Sequence, residues 1–188
     1  MTDIEKIITQ CRKGVRHAQK ELYEQFAPQM FAVCIQYSKN KMEAEDLLHE
    51  GFIKIFEKID QYRGEGALGA WMRRIMVNTI LEEFRNKSKI HYIDNPDFKQ
   101  DYIIDDDDEP ENNYSIQDVD IELVKQLIEQ LPDKYKIVFN LYVIENYTHE
   151  KISAELGITV GTSKSNLSRA RKWLKNKVNE QVAEKMEV

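Results

Sequence analysis

Apolar residues recur at every third or fourth position through most of the chain, which is the spacing typical of amphipathic α-helices. The N-terminal half contains four such stripes, and a polar segment with two glycines, Asp60 to Gly66, separates the last two. No segment alternates apolar and polar residues long enough to predict a β-strand, so the chain is predicted to be all-α. The four stripes span Ile4 to Cys11, Leu22 to Tyr37, Ala44 to Ile59 and Leu68 to Phe84.

The C-terminal part of the chain carries signals for where its helices start and stop. Ile121 to Leu131 form one amphipathic stripe, and Pro132 suits the first turn of a following helix. Thr148 is predicted to cap a short helix that Gly157 ends, and Thr159 to cap a longer one. A short helix, a glycine turn and a longer basic helix form a helix-turn-helix pattern.

The last of these helices is basic. From Lys164 to Lys177 it has six Lys or Arg residues and no acid. Binding to nucleic-acid phosphates requires such a cationic surface, and a merely solvated basic helix is the alternative. Small polar side chains fill its first turns, where a recognition helix meets base edges: Thr162, Ser163, Ser165, Asn166 and Ser168.

Charge is distributed unevenly along the 188 residues. The chain has 27 Lys and Arg against 33 Asp and Glu, a net charge of −6. Residues 94–122 alone hold twelve acids and one base, a charge of −11, so the remainder carries +5. This segment has no sustained apolar period and is predicted to be a flexible acidic linker between two small helical domains, 1–93 and 123–188.

Composition excludes several classes of protein. No apolar run is long enough to span a bilayer or to form a signal peptide, so a cytoplasmic protein without membrane insertion is expected. Two distant cysteines, Cys11 and Cys34, exclude a disulfide scaffold and a zinc finger. The four histidines are scattered, and no nucleophile elbow or phosphate loop is present. No enzyme activity, catalytic residue, cofactor or metal is therefore expected.

Two separate blocks of sequence carry a family resemblance. The first holds AEDLLHEGFIK at residues 44–54, followed by YRGE at 62–65 and WMRRIMVN at 71–78. The second, residues 131–174, contains YTHEKIS, LGI and GTSKSNLSRAR. These blocks resemble regions 2 and 4 of the extracytoplasmic-function (ECF) sigma factors of bacterial RNA polymerase, and they occur in that family's order.

The resemblance implies that the protein binds core RNA polymerase and directs it to promoter DNA by recognising the −35 and −10 elements. In region 2 it assigns core-polymerase binding to Asp46, Leu47, His49, Glu50 and Phe52. Leu47 and Phe52 also fit a purely structural role, and for a histidine such as His49 a structural or solvated role is the alternative. It assigns the −10 element to Arg63, Arg74, Asn78, Arg85 and Lys87. For Asn78 a hydrogen bond to the local backbone is the alternative to a base contact. Trp71 is interpreted as core, because it is in register with Leu68 and Ile75.

In region 4 the resemblance assigns six residues to the −35 element: Thr162, Lys164, Ser165, Ser168, Arg169 and Arg171. Lys164, Ser165 and Ser168 match positions that face the major groove, and the other three match positions nearer the DNA backbone. For Arg169 and Arg171 a role as solvent-exposed charges is the alternative. Five residues depart from the family's usual choices and leave the promoter sequence and some partner contacts open: His49, Gly51, Leu68, Ser163 and Asn166.

Further expectations follow from the same resemblance. An anti-sigma factor is expected as a partner, and the acidic linker is expected either to enter the polymerase channel or to act only as a solubilising tether. The alternative function is a helix-turn-helix regulator without sigma activity, in which residues 1–93 serve dimerisation or sensing. Promoter-specific initiation by core polymerase distinguishes a sigma factor from such a regulator.

Overall fold

The computed structural model describes the backbone over residues 3–94 and 121–186, and side chains over 3–86 and 122–181. The chain divides into two compact units, Met1–Lys87 and Ser88–Val188. All regular structure in the described ranges is helical, which confirms the all-α prediction. Residues 95–120, most of the predicted linker, lie outside the described residues.

Unit 1 consists of four helices around one core. These are α1 (Asp3–Arg12), α2 (Arg16–Tyr37), α3 (Lys41–Lys58) and α4 (Leu68–Asp94), with a 3₁₀ turn at Ile59–Gln61 after α3. The apolar stripes of the sequence form the interior, because each helix buries its stripe against its neighbours. The largest fully buried side chains are Leu22, Met30, Ile55, Met72, Met76 and Leu81.

A glycine permits the close contact between α3 and α4. Gly51 is buried in α3, and a Cβ atom built on it would overlap Sδ and Cε of Met76. Met76 belongs to α4 and is fully buried. Gly51 stands where the family usually has a larger residue, and its missing side chain leaves room for Met76 of the facing helix.

The polar segment between α3 and α4 forms an ordered loop. The Arg12 guanidinium of α1 donates to the carbonyl oxygens of Ile59 and Tyr62. The Tyr62 hydroxyl donates to the Gly66 carbonyl oxygen at 2.8 Å, and Gly66 has a φ of +83° that favours glycine. Trp71 packs against Tyr62 with ring centroids 5.4 Å apart. Since Trp71 is only half-buried, it lies at the edge of the core rather than inside it.

Unit 2 contains α5 (Ile121–Glu129), α6 (Asp133–Phe139), a π-helical turn (Asn140–Ile144), α7 (His149–Leu156) and α8 (Val160–Met186). The predicted boundaries of the helix-turn-helix motif are confirmed. The Lys151 N–H donates to Thr148 Oγ1 at 3.2 Å, Gly157 is left-handed with φ of +67°, and the Thr162 N–H donates to Thr159 Oγ1 at 3.0 Å. Pro132 precedes the first turn of α6 instead of lying in it.

Candidate functional site

One face of α3 carries the exposed residues of the first predicted site. Positions 42, 46, 49, 50 and 53 share this face, because residues three, four and seven apart align along a helix. Asp46, His49 and Glu50 are exposed and polar. Met42 and Ile53 lie at the two ends of the same face, with 70% and 55% of their surface exposed. The sequence analysis did not single out these two residues. The signal that could have found them is that both are apolar and lie outside the buried stripe of α3.

The other two predicted polymerase-binding residues lie in the interior. Leu47 is 7% exposed and Phe52 is 3% exposed. The Phe52 ring packs against Tyr23 of α2, with centroids 4.6 Å apart. In this chain these two side chains belong to the core that supports the exposed face of α3.

Both ends of α3 are held by polar contacts. At the N-terminus the Asn40 side chain accepts from the Glu43 N–H at 2.9 Å, and the Glu43 carboxylate accepts from the Lys39 N–H at 2.7 Å. Further along, Lys54 Nζ lies 3.4 Å from Glu50 and 2.7 Å from Glu82 of α4. Burial opposes the charge of Lys54, but the hydrogen bonds and charges of Glu82 and Glu50 outweigh it and raise the Lys54 pKa.

The residues assigned to the −10 element divide between a loop and a helix. Arg74, Asn78 and Arg85 share one face of α4, because they are four and eleven residues apart. Arg74 and Asn78 are exposed, and Arg85 is half-buried. Arg63 is exposed in the loop that Tyr62 closes onto Gly66. The Lys87 backbone is helical, but its side chain lies outside the described residues.

The residues assigned to the −35 element occupy the N-terminal half of α8. Lys164, Ser168 and Arg171 are exposed and align along one face, being four and seven residues apart. Thr162 and Ser165 are half-buried and engaged locally: the two hydroxyls of Thr159 and Thr162 lie 2.8 Å apart, and Ser165 Oγ donates to the Thr162 carbonyl at 3.1 Å. Arg169 is half-buried.

Two polar residues predicted to meet base edges instead face the interior of unit 2. Ser163 is 0% exposed and Asn166 is 8% exposed. Ser163 lies four residues before Leu167, and Asn166 lies four residues before Ala170; both apolar residues are buried. The apolar period of α8 therefore already places Ser163 and Asn166 on its inner face. Ser163 Oγ lies 2.9 Å from Nδ1 of His149 at the start of α7, a contact that the sequence interpretation did not foresee.

Comparison with known proteins identifies both units. Residues 22–90 match the family described as Sigma-70 region 2, and residues 121–174 match Sigma-70, region 4. The chain belongs to the sigma-70 family. The matched segments contain every residue assigned above to polymerase or to promoter DNA. This sigma factor therefore acts in promoter-specific transcription initiation, and the alternative of a regulator without sigma activity is not favoured.

Relatives place this sigma factor in the ECF group. It is 28% identical to the ECF RNA polymerase sigma factor SigW of Bacillus subtilis over 186 residues, which covers 94% of this chain and 97% of SigW. It is 30% identical to the ECF RNA polymerase sigma factor SigE of Mycolicibacterium smegmatis over 156 residues, which covers 83% of this chain and 60% of SigE.

A solved structure of a sigma factor is also similar. This is RpoE of Bartonella quintana in complex with the anti-sigma factor NepR, with 24% identity and a TM-score of 0.46. The match covers 84% of this sigma factor and 94% of the Bartonella chain.

Membrane-spanning helices and metal-binding clusters are both absent from the described residues. None of the helices there is both long and apolar enough to cross a membrane. Over the same residues, His, Cys, Asp and Glu side chains form no group of three or more that could hold a metal ion.

Proposed function

We propose that this sigma factor binds core RNA polymerase through the exposed face of α3 and holds promoter DNA with two other helices. The α4 face with Arg74 and Asn78 takes the −10 element, and the α8 face with Lys164 and Ser168 takes the −35 element. The observation that carries the proposal is that each matched sigma region presents an exposed helix face with the chemistry its task requires.

The α3 face has the composition of a protein-binding surface. Large apolar side chains that are exposed on one helix face favour burial against a partner, and surrounding polar groups give such a contact its specificity. Met42 and Ile53 supply the apolar part, and Asp46, His49 and Glu50 supply the polar part. Core polymerase is the partner we assign to this face. An anti-sigma factor that covers the same residues would keep the free protein inactive.

The two DNA-binding faces differ in chemistry. On α4, Arg74 and Arg85 suit phosphate contacts, and the Asn78 amide can both donate to and accept from a base. On α8, Lys164 can reach guanine O6 and N7 in the major groove, while Arg171 neutralises a phosphate. The loop at Arg63, which Arg12 and Tyr62 hold in place, is where we expect an unpaired base of the opened −10 element to bind.

Removing two carboxylates from the α3 face tests the polymerase assignment. We expect Asp46→Ala with Glu50→Ala to weaken the affinity for purified core polymerase about tenfold or more, since residues that dominate an interface each cost more than about 1 kcal/mol when truncated to alanine. Lys54 keeps Glu82 as its partner at 2.7 Å, so the contact between α3 and α4 should persist. Fluorescence titration gives the affinity, and circular dichroism checks that helical content is unchanged.

A matched control removes the same number of charges elsewhere. Glu21 and Glu24 of α2 are exposed, Glu24 pairs with Lys20 at 3.6 Å, and neither residue lies on α3. The Glu21→Ala, Glu24→Ala variant should bind core polymerase like the parent. If the Asp46, Glu50 variant binds as tightly as this control, the assignment of the α3 face is wrong.

A further inference from the structure

A buried polar contact joins the two helices of the helix-turn-helix motif. Ser163, in the first turn of α8, is fully buried, and its Oγ lies 2.9 Å from Nδ1 of His149 in the first turn of α7. A buried hydroxyl costs free energy unless it is hydrogen-bonded, so this bond favours one placement of α8 against α7. The bond survives a change of protonation: the neutral ring accepts the serine proton, and the imidazolium donates to the serine oxygen.

The His149 ring is also fixed by a third element. Tyr142, in the π-helical turn, stacks on it with ring centroids 4.6 Å apart and an interplanar angle of 23°. Close ring packing of this kind favours one ring orientation. One imidazole therefore contacts the π-helical turn and α8 while it is itself part of α7.

Candidate DNA contacts surround Ser163 in the sequence. Thr162 and Lys164 are its neighbours, and Ser165 follows. Because all four side chains leave the same helical turn, any rotation of α8 that breaks the Ser163 contact turns the others by the same angle. Recognition of base edges tolerates displacements of only about 0.5 Å or 10–20°.

We propose, on the basis of the proposed function, that His149 is a positioning residue for −35 recognition. Through Ser163 and Tyr142 it sets the orientation of the first turn of α8, and thereby the reach of Lys164 and Ser165 to the bases. It acts through these residues and does not itself contact a base.

Charges around His149 link its protonation to DNA binding. Half-burial and the positive charges of Lys164 and Arg171 on α8 lower the His149 pKa, and the Glu150 carboxylate on α7 opposes them. Tyr142 is the group that faces the ring from the π-helical turn. Phosphates held by Lys164 and Arg171 would offset the positive charges and raise the pKa in the complex. Binding then takes up a proton, so the affinity rises as pH falls toward the ordinary histidine value of about 6.5.

The test uses the full chain bound to core polymerase. The parent holoenzyme first selects its −35 sequence from duplexes randomised at that element. Each variant is then titrated with the selected duplex and with a scrambled duplex of equal length and composition. His149→Ala and Ser163→Ala should each lower the ratio of the two affinities about fivefold, the effect of one hydrogen bond. Binding to the scrambled duplex should stay at the parent level.

Two further variants complete the design. In His149→Asn the amide oxygen takes the place of Nδ1, so the affinity ratio should stay within about twofold of the parent. Because asparagine does not titrate, the rise in affinity between about pH 7.5 and pH 6 should disappear. Ser153→Ala is the matched control, because the Ser153 hydroxyl donates to the Ile158 carbonyl and does not reach α8. This control should keep the parent ratio.

The outcomes separate this inference from the proposed function. Failure of the parent holoenzyme to select any −35 sequence would contradict the proposed function itself. With a parent that selects one, unchanged ratios in His149→Ala and Ser163→Ala would overturn the inference alone. Equal losses on both duplexes, as expected of a phosphate contact or of partial unfolding, would also overturn it, as would a pH dependence that persists in His149→Asn.

Discussion

At Gly51, one added methyl group is enough to disturb the contact between α3 and α4. Gly51→Ala gains up to about 1 kcal/mol of helix propensity, but overpacking a closed core costs about 1–3 kcal/mol. Because Met76 is fully buried, it cannot swing into solvent, and we expect a net loss of stability in urea unfolding. Adding Met76→Val, which removes Sδ and Cε, should recover part of the loss.

Gly69 provides the control for this prediction within the same unit. It lies in the first turn of α4, and a Cβ atom there would approach Gln29 Oε1 to 3.2 Å, the end of an exposed side chain that can move. Gly69→Ala should therefore stay within about 1 kcal/mol of the parent. Equal stability of the Gly51→Ala and Gly69→Ala proteins would contradict the packing argument.

Single residues also show where sequence reasoning succeeds and where it fails. The exposed residues Asp46, His49 and Glu50 were predicted by position, since polar side chains off the apolar stripe of α3 have to face solvent. Ser163 and Asn166 were misplaced, because polarity was given more weight than the apolar period that puts them inside. The partner of a buried hydroxyl, fourteen residues away, depends on how two helices pack and has no local signal.

The position of each residue along α8 determines its predicted effect on DNA binding. Lys164 lies in the first turns and Arg171 two turns later on the same exposed face. We expect Lys164→Ala to relax preference at one or two −35 positions, a loss of about 1–3 kcal/mol of discrimination. Arg171→Ala should weaken all sequences alike and lower the salt slope of binding by about one charge. Titrations with selected and scrambled duplexes at several salt concentrations measure both effects, and identical behaviour of the two variants would contradict this division.

Helix boundaries in unit 2 were predictable because their signals are local. Thr148, Gly157 and Thr159 act through hydrogen bonds or backbone angles within their own turn. The π-helical turn at Asn140–Ile144 has no comparable signal, and it was not predicted. The contact between Tyr142 of this turn and His149 was consequently not predictable from the sequence either.

At the scale of the whole molecule, the order of two regions carried the identification. A helix-turn-helix alone is shared by many DNA-binding proteins, whereas the pair of matched segments, residues 22–90 and 121–174, restricts the family. The net charge also differs between the linker and the two matched regions. Residues 94–122 carry −11, and the rest of the chain carries +5. A net charge of −6 would otherwise argue against DNA binding.

The acidic segment between the two matched regions is expected to act on the polymerase rather than on DNA. Residues 94–122 carry −11, a charge that nucleic acid repels and that basic walls of a polymerase channel would attract. We expect this segment to occupy the channel until RNA displaces it. Replacing Asp105 to Asp108 with Asn and Glu109 with Gln keeps length but removes five charges. Synthesis of the first bonds and the length of abortive products should change, while promoter binding, measured on the same templates, stays nearly constant. An unaltered abortive pattern would leave the segment only the role of a tether.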